Sequence, residues 1–439
     1  MTSKEYPKVL IVGLPFNKVN GGGITMSNLF QDWPKEKLAL VSTSNVRINA
    51  DFSLCNNYFQ LGYNGKLHPF PLNIFLPKIK CGPVKDFVQS ATTDQNQLSG
   101  GKYKRIYRII SMVLSMLGLY NFLYKLRITD ELRKWVSNFN PDIIYSQLAS
   151  LEMIRFVNNV QALTKKPVAI HIMDDWPETI NQPSILYFYW KRKIDSEFRD
   201  LISKSQVLMS ISQGMSDEYQ KRYDRVFYPF HNPITIDRWL PYSKTSWEIN
   251  GKCRILYSGR LGMANGKAIL LIAEIIDKLN IKGSHFILDI FTPDYQSRLA
   301  DRIRSLTGIS INKTVENKLM PELLAGYDLL ILPLDFDKRS VRFTKLSMPT
   351  KASEYMISGV PVLIFANNQT FLAKHAIERK WAHVVSVNNE DTLTKAILLL
   401  SSDIDLRRRI AGEAVSFAIN NEDSHLIKEE FRKCLSMNN

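Results

Sequence analysis

Cysteine is scarce in this chain of 439 residues, with only four, at positions 55, 81, 253 and 434. Their separation excludes a disulfide framework and shows no metal-ligand spacing, so no metal is expected. A few scattered thiols fit a reducing compartment. Acidic residues are also short: 42 Asp and Glu stand against 57 Lys and Arg, a net charge of +15. That excess favours a polyanionic partner, whether nucleic acid, an anionic membrane face or a phosphorylated substrate. No recognised nucleic-acid motif accompanies it, so no nucleic-acid partner is expected. The polar stretch 1–7 runs directly into a strand, which leaves no room for a signal peptide and predicts a cytoplasmic chain. The hydrophobic fraction of 45% is ordinary for a globular protein.

What is present reads as strands alternating with helices. Lys8-Val9-Leu10-Ile11-Val12-Gly13 is a short apolar run, followed by a loop with Asn20-Gly21-Gly22-Gly23 and a helix from Ile24 to Trp33. Strand, glycine loop and helix open a doubly wound α/β domain, although the spacing is not GxGxxG and no dinucleotide site follows from it. Further strands are expected at 38–42, 142–146, 167–173 and 207–212, with helices at 187–204 and 215–223. Tyr228-Pro229-Phe230-His231-Asn232-Pro233 is a rigid connector. A second set of strands begins at Cys253 and continues at 286–291, 329–332, 361–365 and 383–387, with a helical remainder from Thr392. Two doubly wound halves imply a cleft between them, the default place for a ligand. The stretch 50–101, rich in Asn, Pro, Gly and aromatics, carries no assignable regular structure.

Three segments carry candidate chemistry. In the first, Lys102, Lys104, Arg105 and Arg108 precede an uncharged run of 16 residues, 109–124, and Lys125 and Arg127 follow. The run is shorter than the ~20 residues a spanning helix needs. It is either an interfacial membrane helix or a core helix with a solvated basic end. In the second, the strand through His171 runs into Asp174-Asp175, at the strand end where open α/β sheets bind ligands. Both are acid/base or hydroxyl-binding candidates, with a helix N-cap the competing role for one of them. Being adjacent, they cannot point the same way.

The third segment is 342–366, RFTKLSMPTKASEYMISGVPVLIFA. It reads as a loop, a short helix opened by Pro349 or Thr350 and closed by Gly359, and a buried strand. Lys351 and Glu354 fall on the first turn, where unpaired backbone N–H groups stabilise anions.

These residues, in this order, resemble the GT-B glycosyltransferases, specifically the large nucleotide-sugar-dependent family 4. The resemblance runs from the glycine loop to the last helices and rests on several short motifs. It implies two Rossmann-like domains facing an interdomain cleft. The expected domains are an acceptor-binding domain at 1–245 that includes the basic apolar segment 102–127, a donor-binding domain at 246–410, and C-terminal helices at 411–439 that pack back on the first domain. On the donor side the resemblance implies Gly22, Gly23, Arg260, Lys267, Lys351 and Glu354, with Arg260 on the diphosphate and Glu354 on the ribose hydroxyls. On the acceptor side it implies Gly21, His171 and Asp174. The catalytic candidates are Asp174, Asp175 and Arg260. Where the family usually has a lysine five residues after the arginine, this chain has Asn265, so Lys267 or Lys351 supplies the missing charge. Leu346 replaces the earlier of the family's paired glutamates, and Asp174-Asp175 stands in place of its His-Asp. Subgroups with a Lys-x-x-Glu-Tyr pattern are closer.

The resemblance further implies a hexosyltransferase-like activity that retains anomeric configuration. The donor is a nucleotide-diphosphate sugar, needing no cofactor, and the acceptor a lipid-linked glycan in bacterial surface polysaccharide assembly at the inner membrane face. Two alternatives stay open at this point: a GT-B-fold nucleotide-sugar epimerase, and a non-catalytic sugar-nucleotide-binding subunit.

Overall fold

The computed structural model describes residues 6–17, 21–46, 50–68, 70, 72–74, 79–84, 101–179, 184–262 and 264–436, with backbone only at 101–105 and 179. The chain forms two compact units: Met1–Phe230 with Lys428–Asn439, and His231–Ile427. The first boundary falls inside the Pro-marked connector, ahead of the position at 245 expected from sequence. The 411–439 segment does not stand apart. Its residues to Ile427 belong to the second unit and those from Lys428 to the first.

The first unit holds an eight-stranded sheet in the order Tyr228–Pro229, Val207–Ser210, Val168–Ile172, Ile143–Gln147, Val9–Gly13, Leu38–Ser42, Tyr58–Gln60, Gly82–Val84. All neighbours are parallel except the last pair. The strands of Val9–Gly13 and Leu38–Ser42 are buried at every residue, as strands covered on both faces must be. Helices between strands start where Thr129, Ser150 and Ser212 each accept a backbone N–H three residues on. The end of the last helix closes this core: Phe431 packs edge-on against Phe30, Tyr145 and Phe230.

The second unit holds a six-stranded parallel sheet in the order Ile309–Asn312, Phe286–Phe291, Cys253–Ser258, Leu329–Pro333, Val362–Phe365, His383–Val385. Successive side chains of one strand enter opposite cores. Ile255, Tyr257, Leu363 and Phe365 pack on one face, and Leu256, Leu330, Val362 and Ile364 on the other. This is the period of two that a strand dictates. In both sheets the direction of winding reverses beside the first strand, which places a crevice at the ends of that strand and its neighbour. In the second unit those ends are Ser258-Gly259-Arg260 and Pro333-Leu334-Asp335.

Two expectations of local structure change. Gly21–Gly23 are not a loop but the first turn of the helix Gly21–Leu29, and Asn20 lies outside the described residues. The uncharged run 109–124 is not one helix either. Helix Gly101–Met116 ends before Gly118, and a short turn follows at Tyr120–Leu123. Within 50–101, short strands at Tyr58–Gln60 and Gly82–Val84 extend the sheet, and 85–100 lies outside the described residues.

Candidate functional site

The donor-side candidates assemble around the end of strand Cys253–Ser258. Gly259 follows it with φ +148°, a conformation that favours glycine, and a Cβ there would collide with Lys351 Nζ. Tyr257, almost wholly buried, donates its hydroxyl hydrogen bond to the Arg260 carbonyl at 2.7 Å. Asn265 Nδ2 donates to that same carbonyl at 2.9 Å and to the Tyr257 hydroxyl at 2.7 Å, while its Oδ1 accepts from the Gly262 N–H at 3.0 Å. Asn265 therefore locks the turn and supplies no charge. The Arg260 side chain is exposed and has no hydrogen bond or ion pair among the described residues. Its backbone is held while its guanidinium is left available for an anion.

A second cation, Lys351, stands at the same turn. Its ammonium donates to the Ser258 carbonyl and lies 4.2 Å from the centre of the Tyr257 ring. Four residues on, the Tyr355 hydroxyl accepts from the Ser258 N–H at 2.9 Å. Positions i and i+4 share one helix face, so Lys351 and Tyr355 grip both backbone groups of Ser258 and fix helix Lys351–Ile357 against the strand end. Lys267, the other lysine considered, points elsewhere: it is exposed and pairs with Asp337 at 3.3 Å. The start of its own helix is already occupied by the Asp335 carboxylate, which accepts from Ala268 N–H at 2.8 Å.

Glu354 lies on the first turn with Lys351, partly accessible but surrounded by protein on most sides. Lost hydration raises its carboxyl to about 7 against the opposing pull of Arg238, Lys351 and His231. The same lost hydration lowers Lys351 to about 7, with Glu354 opposing. Two groups of opposite sign are thus poised to change charge near neutrality, a pattern concentrated at functional sites.

The chain reaching this helix is clamped by the connector. His231 Nε2 is 3.2 Å from the Pro349 carbonyl, and Asn232 Nδ2 donates to the Thr350 carbonyl at 3.2 Å. Ser353 Oγ donates to the Asn232 carbonyl at 3.0 Å and lies 3.2 Å from Glu422 Oε2. At the other end Gly359, with φ +69°, lets the backbone of Lys244 approach; its residue neighbour Ser358 accepts from the Lys244 N–H at 2.8 Å. Sequence reasoning had treated His231-Asn232-Pro233 as a connector only. It also missed Tyr257, whose role depends on Lys351, a residue 94 positions away in sequence. The Lys-x-x-Glu-Tyr pattern was the one signal pointing to Tyr355.

In the first unit the candidates separate. His171 is wholly enclosed, its Nδ1 2.8 Å from the Tyr145 hydroxyl, and burial lowers it to about 4. Expected on the acceptor side, it is instead a sheet residue with no open face. Asp175 is likewise corrected: it is buried, takes both Arg222 Nη1 and Nη2 at 2.9 and 3.1 Å, and accepts from the Tyr219 hydroxyl at 3.0 Å. That ion pair fastens helix Gln213–Tyr223 to the loop after the strand. Asp174 turns the other way. It is exposed at its rim, yet enough protein surrounds it for lost hydration to raise its carboxyl. Gly23 meets the Asn17 side chain so closely that a Cβ would collide with it, and the Gly22 carbonyl accepts from Gln147 Nε2 at 3.2 Å. Gly21 and Gly22 keep partial exposure.

Residues 252–403, within the second unit, match the family described as glycosyl transferases group 1. No curated protein matches the chain. Among solved structures it is similar to Anabaena HepE in complex with UDP and glucose, at 13% identity over 98% of this chain and 100% of that one, TM-score 0.60. Sucrose-phosphate synthase from Thermosynechococcus elongatus is similar at 8% identity over 98% of both chains, TM-score 0.63. The α,α-trehalose 6-phosphate synthase from Burkholderia multivorans is similar at 12% identity over 98% of both, TM-score 0.56. At these identities the likeness establishes the fold, two Rossmann-like α/β units of the GT-B class.

Proposed function

We propose that this protein is a glycosyltransferase that takes a sugar from a nucleotide-diphosphate donor held by the second unit. The observation that carries the reading is the Lys351 ammonium set against the Ser258-Gly259 backbone, at the turn whose next residue, Arg260, is exposed with no side-chain hydrogen bond or ion pair among the described residues. Breaking a sugar–phosphate bond leaves negative charge on the diphosphate. Arg260 binds its oxygens with a planar fork, Lys351 adds a point charge, and fixed cations of this kind stabilise a leaving group without reorganising. Glu354 accepts hydrogen bonds from the ribose hydroxyls. Asp174, the accessible carboxylate of the first unit, orients an acceptor hydroxyl.

The finer reading is transfer with retention to a lipid-linked glycan in bacterial surface polysaccharide assembly. The HepE complexes with UDP and with UDP-glucose make uridine nucleotides the first donors to try. Nucleoside diphosphates and nucleotide sugars are screened by thermal shift, where a ligand at 100 times its dissociation constant adds about 2.7 kcal/mol. With the donor found, Arg260→Ala and Glu354→Ala are expected to abolish sugar transfer while the melting temperature of the free protein holds. Full activity in both variants refutes the site. Turnover of the donor to an epimeric sugar without acceptor replaces transfer by epimerisation.

A further inference from the structure

Many of the exposed apolar side chains of the first unit fall in two short segments of the chain. Ile109, Met112, Val113 and Met116 are all exposed, and their spacing of i, i+3, i+4, i+7 makes them a single stripe along helix Gly101–Met116. A helix of a globular domain normally turns such a stripe inward. Here it faces solvent and runs on through exposed Leu117, Leu119, Phe122 and Leu123.

A second segment, some 60 residues later, completes the face. The Ile185 N–H donates to the Met116 carbonyl at 2.9 Å and Trp190 Nε1 to the Gly118 carbonyl at 2.7 Å. Phe122 stacks on Tyr189, ring centres 5.7 Å apart. These bonds present Ile185 and Phe188, each 78% exposed, next to the stripe. The charge around it has one sign. Residues 101–129 hold six Lys and Arg and no Asp or Glu, and 184–194 hold three and none. Lys191 and Lys193 are paired with Glu178 and Glu197. Arg108, Lys125, Arg127 and Arg192 are exposed with no ion pair among the described residues. Among those residues no helix is long and apolar enough to cross a membrane.

We propose that this composite face docks the first unit on an anionic lipid bilayer, its apolar side chains entering the headgroup boundary while the unpaired basic groups meet lipid phosphates. Apolar burial and basic attraction together supply the two signals that stable peripheral binding needs. Charge complementarity selects a lipid surface over a second copy of the chain, since two such faces would oppose basic groups of the same sign.

The test is flotation of the full chain with phosphatidylcholine vesicles, with and without about 30% phosphatidylglycerol. Binding is expected on the anionic vesicles and is weakened by ~0.5 M salt. Because both side chains stand in solvent, Ile185→Ser with Phe188→Ser is expected to leave the melting temperature unchanged and to cut the bound fraction at least tenfold. Arg108→Glu with Arg192→Glu removes the preference for anionic lipid. Absence of flotation, or variants that float like the parent, overturns the proposal. So does a parent that sediments as a dimer and a serine variant that sediments as a monomer, without change in flotation. None of these readouts requires sugar transfer, so failure here is separable from failure of the enzymatic reading.

Discussion

The pH dependence of donor binding follows from the Lys351–Glu354 pair. In the free protein Lys351 is lowered to about 7 and Glu354 raised to about 7, both by lost hydration. A lysine with a depressed value is charged only below it, so the attraction for a diphosphate is complete below about 7 and falls as pH rises through that value. Glu354 is neutral below about 7 and negative above, which strengthens it as an acceptor for the ribose hydroxyls and does not add to that loss. At pH 8 recharging Lys351 costs about 1.4 kcal/mol, about a tenfold loss of affinity. Partial exposure of the side chain screens the interaction, so about tenfold is the upper figure. The ligand should be a nucleotide sugar, whose two phosphates each keep one charge across the range, so that only the protein titrates. Dissociation constants measured by calorimetry from pH 6 to 9 should rise in the parent and should not rise in Lys351→Met. A flat profile in the parent, or an equal slope in the variant, refutes the assignment of Lys351 as the diphosphate's lysine.

Other consequences are as direct. Asp175→Asn leaves the Arg222 guanidinium with Glu218 as its remaining carboxylate and removes the acceptor charge facing Tyr219, and should cost about 1–3 kcal/mol in denaturant unfolding, whereas Asp174→Asn should change stability by less than about 0.5 kcal/mol. Equal costs would remove the distinction drawn between the two. Gly359→Ala forces an L side chain into the left-handed region and against the Lys244 backbone. A loss of about 2–4 kcal/mol in the same measurement is expected, and a neutral result would contradict the close approach.

The alternation of buried runs and periodic helices in the sequence was enough to place the central strands of both sheets, since a strand covered on both faces must be apolar throughout, but not the short outer strands Tyr58–Gln60, Gly82–Val84 and Ile309–Asn312. Gly359, the strand Val362–Phe365 and helix Tyr187–Lys204 stand where local pattern put them. Motif order also pointed to the Gly259-Arg260 turn and to helix Lys351–Ile357, which the fold brings together at the end of strand Cys253–Ser258. What local pattern could not decide was pairing at a distance. Asn265 proves to hold the turn through the Tyr257 hydroxyl and the Arg260 carbonyl, and Lys351 is brought to the same turn by a contact 93 residues long. Adjacency showed that Asp174 and Asp175 point different ways, but which one is enclosed was decided by Arg222 and Tyr219, more than 40 residues on. The three glycines read as an open loop because nothing nearby in sequence shows that Gly23 must clear Asn17. The stripe on helix Gly101–Met116 has the spacing of a core helix, and only the packed unit shows which way it faces. Apolar spacing records that a face is to be covered; what covers it depends on the elements, or the surfaces, that the fold leaves beside it.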